Sequence, residues 1–283
     1  MARVDIPHYR PDDLKTPFND VKLNKSDYNT VLPVTQALPV IPVSVIIFGE
    51  YSPELAKQIF ISKVYTALWF QILFSSVFIA MANNNSQIQK FLLSNTGNII
   101  SWVDIGLLLV STCIFFNNDK MISNHSYKFI SFYTILITYL LGYVGIMYKS
   151  TVLLLSGFTT LTMFSGLTLY SIQTKYDYTD KGNYLLVCLL GLLMLGFMFP
   201  WIGLASNDEK DRINNIFNIV YSVGGTVLFS FYIVYDTQLI VGGKHRRIEF
   251  SSNDFALATI SLYTDIINLF LFVLEILGGP GGR

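Results

Sequence analysis

Seven apolar stretches take up most of this 283-residue chain. They run roughly over 59–82, 99–117, 127–148, 151–172, 184–205, 216–241 and 255–277. Each is close to the ~20 residues an α-helix needs to cross the hydrocarbon core of a bilayer. No water satisfies backbone N–H and C=O groups in lipid, so such stretches are expected to be helices. The expected fold is an all-α integral membrane protein, a bundle of seven transmembrane helices. Short connections make sequence neighbours antiparallel. Only Lys149, Ser150 and Thr151 separate two of the stretches, so a single longer kinked hairpin is an alternative there.

Composition agrees. Hydrophobic residues make up 52% and charged residues 13%, against ~25% charged in soluble domains. Net charge is zero, from 19 basic and 19 acidic residues. Nucleic acid is not an expected partner, because binding it needs a basic patch or stripe; the expected partner is the lipid bilayer. Cys113 and Cys188 fall in apolar stretches and read as small core residues, with no disulfide framework or zinc spacing. No signal-peptide pattern opens the chain.

Residues 1–55 read as a separate proline-containing, cytosolic, disordered tail ahead of a membrane domain over 56–283. Pro7, Pro11, Pro17, Pro33, Pro39, Pro42 and Pro53 all lie in this tail. With the N-terminus in the cytosol, nine lysines and arginines flank the spans on that side: Lys57, Lys63, Lys120, Lys128, Lys175, Lys181, Lys244, Arg246 and Arg247. Five flank them on the other: Lys90, Lys149, Lys210, Arg212 and Arg283. The positive-inside rule therefore favours a cytosolic N-terminus. Of the sequons at Asn24, Asn84 and Asn124, this orientation puts only Asn84 in the lumen.

Two aspartates stand inside the last two stretches, Asp236 in FSFYIVYDTQLIV and Asp265 in LATISLYTDIINLFLFVL. A carboxylate in a membrane span costs ~2.5–3.5 kcal/mol on insertion scales and marks a functional site by default. Asp236 lies about six residues before the connecting loop and Asp265 eleven after it. At ~1.5 Å per residue their depths differ by roughly 7 Å, which leaves contact open. Ser251-x-x-Asp254 resembles a capping box that starts the last helix inside the loop.

Tyr232 lies one turn before Asp236, and Ser261, Asp265 and Asn268 share one helix face. These polar groups are the expected support for the carboxyls. Two carboxylates with few cations near them do not ionise together, so the pair titrates as a unit. Ionised, it suits a hard cation; otherwise it holds a shared proton. A lone buried aspartate that only braces a neighbouring helix is the bland alternative. Asp104, early in the second stretch, and Glu275, near the end of the seventh, read as interfacial. His8, His125 and His245 lie in loops or tails and are given no role.

No catalytic residues and no enzyme are expected. Intramembrane aspartyl proteases pair Tyr-Asp with Gly-x-Gly-Asp. Tyr235-Asp236 fits the first motif, but Ser261-Leu262-Tyr263-Thr264-Asp265 contains no glycine. Asp-Arg-Tyr and Asn-Pro-x-x-Tyr, the rhodopsin-type signatures, are absent.

The segments FYIVYDTQLIVGGKH (231–245) and FALATISLYTDIINLFLFVLEILG (255–278) resemble the Bax inhibitor (transmembrane Bax inhibitor motif) family, most closely its lifeguard branch. Weaker similarity runs through GLTLYSIQTKYDYT (166–179) and SKVYTALWFQIL (62–73), so the resemblance covers about 60–278. It implies six helices around a central seventh. It also implies a calcium-permeable leak in an intracellular membrane, endoplasmic reticulum or Golgi, and suppression of cell death. No cofactor is implied, only calcium as permeant or bound ion. An aspartate pair matching Asp236 and Asp265 is linked to pH-dependent gating in that family. Two departures stand out: Ile137 occupies the place of a third-span glutamate, and 99–117 holds no arginine. The rival reading is a non-conducting scaffold that modulates cell-death regulators or channels through its tail and helix surfaces.

Overall fold

The structure is a computed structural model. It describes residues 53–117, 125–202, 207–242, 246, 248–251 and 254–279. The tail expected over 1–55 lies outside the described residues up to position 52, and its last three residues open a helix. The helices are α1 (Pro53–Asn84), α2 (Ser86–Leu92), α3 (Asn95–Asn117), α4 (Ser126–Ile146), α5 (Ser150–Gln173), α6 (Gly182–Ile202), α7 (Asn207–Val241) and α8 (Phe255–Gly278). A 3₁₀ turn at Thr179–Lys181 precedes α6. Seven of these helices, all but α2, are long and apolar enough to cross a membrane.

The helices overlap all seven expected stretches, but α1 starts six residues and α7 nine residues earlier than expected, at Pro53 and Asn207. The short helix α2 fills what reads as a connection, with Asn85 capping it by accepting from the Gln87 N–H at 2.9 Å. Its Leu92 is buried against Ala82 and Ile146. At 147–149 the chain breaks into two helices, as the seven-stretch reading expects, and not into the alternative single kinked one. Lys149 is the N-cap of α5, and its carbonyl accepts from Val152 and Leu153.

Burial is distributed very unevenly. In the most apolar window of α8, 61% of residues are buried, against 11% for α5 and 0% for α6. Helix α8 packs against α7, α5, α1 and α4, while α3 docks chiefly on α4 and α6 on α7. The outward faces are apolar: Val187, Leu193 and Phe197 on α6, and Trp102 and Leu109 on α3, are all more than half exposed. On a soluble protein such a surface would be an interaction patch; here it is the face toward lipid. Cys113 and Cys188 lie on this outer face, which corrects the expectation that they are core residues.

Because lipid is as apolar as a side chain, polar bonds and close fit hold the spans together. Helices α1 and α4 run parallel with a constant offset. Gln71 Nε2 donates to Thr134 Oγ1 at 2.7 Å, and one turn further on Ser75 Oγ bonds Thr138 Oγ1 at 2.8 Å. Ser75 also bonds the Tyr263 hydroxyl of α8 at 2.7 Å. At the far end Asn83 organises the α4–α5 turn. Its Nδ2 donates to the Gly145 and Tyr148 carbonyls at 2.7 and 2.9 Å, and its Oδ1 accepts from Ser150 Oγ at 2.7 Å. The Gly145 carbonyl lies in the last turn of α4, where the Tyr148 N–H reaches it at a long 3.4 Å, and Tyr148 itself lies two residues beyond the helix.

Asn83→Leu should therefore leave two carbonyls and one hydroxyl without their bonds in a buried place. The expected loss is on the order of 2–3 kcal/mol. It is read as a lower thermal midpoint of the purified protein in detergent, while Asn84→Leu, on the exposed side, leaves the midpoint in place.

Candidate functional site

Helices α7 and α8 form an antiparallel hairpin and carry the two aspartates. Both side chains are buried, Asp236 at 5% and Asp265 at 6% exposure. Their carboxyl groups lie within hydrogen-bonding reach of each other. A carboxylate has only acceptors, so a bond between the two requires a proton on one of them. Burial and the partner carboxyl are the influences on the pair, and no cation is among them within the described residues. Asp265 Oδ2 has no hydrogen-bond partner among the described residues.

Register explains how they meet. The Phe229 and Phe272 rings stack at 5.8 Å between centroids. Position 229 opposite 272 implies 236 opposite 265, since each helix advances seven residues. The same register sets Val241 opposite Ile260, so α8 extends about 7 Å beyond the end of α7. That is the depth offset left open by the sequence. Gly225 makes the close approach possible, because a Cβ there would run into the Phe272 ring.

The supporting groups are only partly assembled. Tyr232 stands close enough to both aspartates to feel their charge and packs against Phe229 at 5.8 Å. Ser261 is half-buried one turn before Asp265. Asn268 instead turns its amide to the Thr264 carbonyl of its own helix at 2.9 Å. Asp104 is a correction. It is the tenth of the 23 residues of α3, buried at 5% exposure, and therefore mid-span rather than interfacial. Its Oδ2 has no partner, and Asp104 is not among the groups acting on the pair. Glu275 does lie in the last turn of α8. Burial first, and then the Glu275 charge, raise the Tyr148 phenol above its ordinary value.

Sequence reasoning did not find the closure at the loop end. Arg246 donates to the Tyr176, Ser171 and Thr174 carbonyls, the last two at 3.0 and 2.8 Å. Ser171 and Thr174 lie at the end of α5, where carbonyls lack a helical partner, and Tyr176 lies in the loop just beyond. Gln238, two residues beyond Asp236, donates to the Tyr176 carbonyl at 3.0 Å and accepts from the Tyr178 N–H at 2.8 Å. Lys57 of α1 bridges Glu249 at 2.7 Å, and the Phe250 N–H bonds the Leu239 carbonyl. Gly242, at φ +55°, allows the sharp exit from α7 in a conformation that other residues adopt only at a cost. The acid half of the expected capping box is present: Asp254 Oδ2 accepts from the Ser251 N–H at 2.8 Å. The signal for Arg246 was the basic run near helix ends, since arginines commonly bind the last carbonyls of a helix.

The hydrogen bond with Tyr170 at 2.8 Å, followed by burial, pushes the Tyr178 phenol up to about 12.

Fold and site together define a seven-span helical membrane protein whose last two spans carry facing buried carboxyls. A family model described as "Inhibitor of apoptosis-promoting Bax1" matches residues 57–282. The chain belongs to this Bax inhibitor family. It is 24% identical to Protein lifeguard 3 of Mus musculus, over 81% of this chain and 72% of the relative. It is 25% identical to Protein lifeguard 3 of Homo sapiens, over 81% and 71%. Bax inhibitor 1 of Schizosaccharomyces pombe is 28% identical over 54% of this chain and 52% of its own length.

Arg246→Ala should free the end of α5. The expected result is faster hydrogen exchange of the amides over 174–181, measured by mass spectrometry in detergent, with the α4–α5 turn unchanged.

Proposed function

We propose that this protein is a calcium leak of an intracellular membrane, endoplasmic reticulum or Golgi, gated by protonation of the Asp236–Asp265 pair, and that it restrains cell death by that route. The observation that carries the reading is the meeting of two buried carboxyls on adjacent spans, with no cation beside them among the described residues. Among the described residues no cluster of three or more His, Cys, Asp and Glu exists. Calcium takes 6–8 oxygens, so most of its shell here would be hydroxyls, carbonyls or water. A site with two carboxylates and a wet remainder suits an ion in transit better than one stored. Proton and calcium are then alternative occupants: calcium binding needs the ionised pair and displaces the shared proton.

The sign follows. Raising the pH removes the shared proton, favours the cation and increases flux; lowering it restores the proton and reduces flux. Full-length protein in liposomes, with calcium flux followed against pH, tests this. Asp265→Asn should abolish the pH dependence; a profile unchanged by that substitution would count heavily against the proposal.

Ile137, where many relatives carry an acid, favours the rival scaffold reading. Cell-death suppression that survives both Asp236→Asn and Asp265→Asn but is lost on deletion of residues 1–55 would support it. The proposed orientation places the N-terminus in the cytosol. Glycosylation in microsomes should then occur, if anywhere, at Asn84, and modification of Asn124 would overturn that topology.

A further inference from the structure

Two lipid-facing grooves flank one ridge of α7. One, of about 650 Å³, runs between α6 and α7; the other, of about 430 Å³, between α5 and α7. Val227 and Phe231 line both, and so does Tyr178 at the loop end. The grooves thus lie on either side of a Val227–Phe231 ridge and converge on one aromatic residue. Along α6 the larger runs from Tyr184 to Leu195. That is ~16 Å of helix, about one leaflet of a ~30 Å hydrocarbon core.

The point of convergence has its own chemistry. Tyr176 and Tyr178 lie with ring centroids 4.7 Å apart and planes at 62°. Tyr184 completes an aromatic mouth, and the Lys181 ammonium stands 5.6 Å from its ring centroid. The tyrosines are fixed in place. Tyr178 is held by Gln238 through its N–H and by Tyr170 through its hydroxyl, and the Tyr176 carbonyl is held by Arg246 and Gln238. Aromatic faces attract quaternary ammonium groups, while a lysine at the interface attracts phosphate. Both charges are adjacent in one headgroup only when a lipid is zwitterionic.

We propose that this forked surface is a binding site for one diacyl choline phospholipid. Its two acyl chains lie in the grooves on either side of the Val227–Phe231 ridge. Its choline rests on Tyr176 and Tyr178, and its phosphate faces Lys181. The site is separate from the aspartate pair and does not depend on ion conduction.

The test uses the full-length protein, stripped of lipid in detergent and titrated with single lipids under native mass spectrometry. Dioleoylphosphatidylcholine should bind at least five-fold more tightly than dioleoylphosphatidylglycerol. Replacing both Tyr176 and Tyr178 with Leu should weaken it about five-fold, which is ~1 kcal/mol. Replacing both with Phe keeps the aromatic faces and should preserve binding. Lys181→Ala should weaken it by a similar factor, and Lys175→Ala, on the same loop outside the grooves, should not. Lysophosphatidylcholine, with one chain, should bind more weakly than the diacyl lipid. Equal affinity for phosphatidylglycerol, indifference to the Leu pair, or an equal effect of Lys175→Ala would overturn the headgroup site. A lyso-lipid as tight as the diacyl one would overturn the forked seat.

Discussion

Two carboxyl groups removed from water cannot both be charged without a counterion, and that constraint organises the α7–α8 hairpin. An isolated ionised carboxylate in an apolar interior is so costly that the group neutralises instead. Facing each other, Asp236 and Asp265 need only one proton to make one a donor and the other an acceptor. The arrangement demands register. A slip of one turn moves a residue ~5.4 Å along its helix and would strand both groups. Packing holds the same register independently: Phe272 stacks on Phe229 and closes over Gly225. Neither the polar bond nor the aromatic stack alone identifies the alignment, but they agree on it.

The polar ties around the hairpin fall into two sets. Helix α8 is joined to α1 through Tyr263 and Ser75, and Ser75 continues to Thr138 of α4. Helix α7 is joined to α5 by Ser171 Oγ donating to the Val234 carbonyl, and by Gln238 reaching Tyr176 and Tyr178. The aspartates sit where these two sets meet. Between α5 and α8 the contact is made by apolar residues such as Met163 and Leu167, which pack against the cluster that holds Ile266 and Leu269. Apolar contacts tolerate sliding better than directed hydrogen bonds. A change in charge at the pair therefore acts on the seam with the fewest polar restraints.

Much of this was legible in the sequence because lipid imposes simple rules. Length and hydropathy were enough to locate seven helices, and insertion cost singled out Asp236 and Asp265 without any structure. What stayed illegible has physical causes. Placing the second span from residue 99 put Asp104 near its start. The helix in fact begins at Asn95, so the same residue lies in its middle. Cys113 and Cys188 were assigned inward by a burial preference that holds in water, where an outward apolar group is penalised; in lipid it is not. Helix α2 is seven residues long, too short to show a period. The loop closure by Arg246 depends on where the end of α5 lies in space, and sequence spacing does not encode that.

The departures from the family pattern bear on how the pair would work. Here the span over 99–117 has no arginine, and no cation is among the groups acting on either aspartate. The singly charged pair is held together by its proton. Among the described residues nothing offsets the doubly charged pair. On the proposed reading, the second charge then becomes tolerable only when a cation from solution arrives, and calcium supplies two positive charges at once. Proton release and calcium entry would be two sides of one exchange rather than separate steps. Linkage makes the relation reciprocal: whatever raises calcium occupancy lowers proton occupancy by the same coupling free energy. Thus, with no fixed counterion beside it among the described residues, this pair depends, on the proposed reading, on what the membrane's two aqueous sides provide.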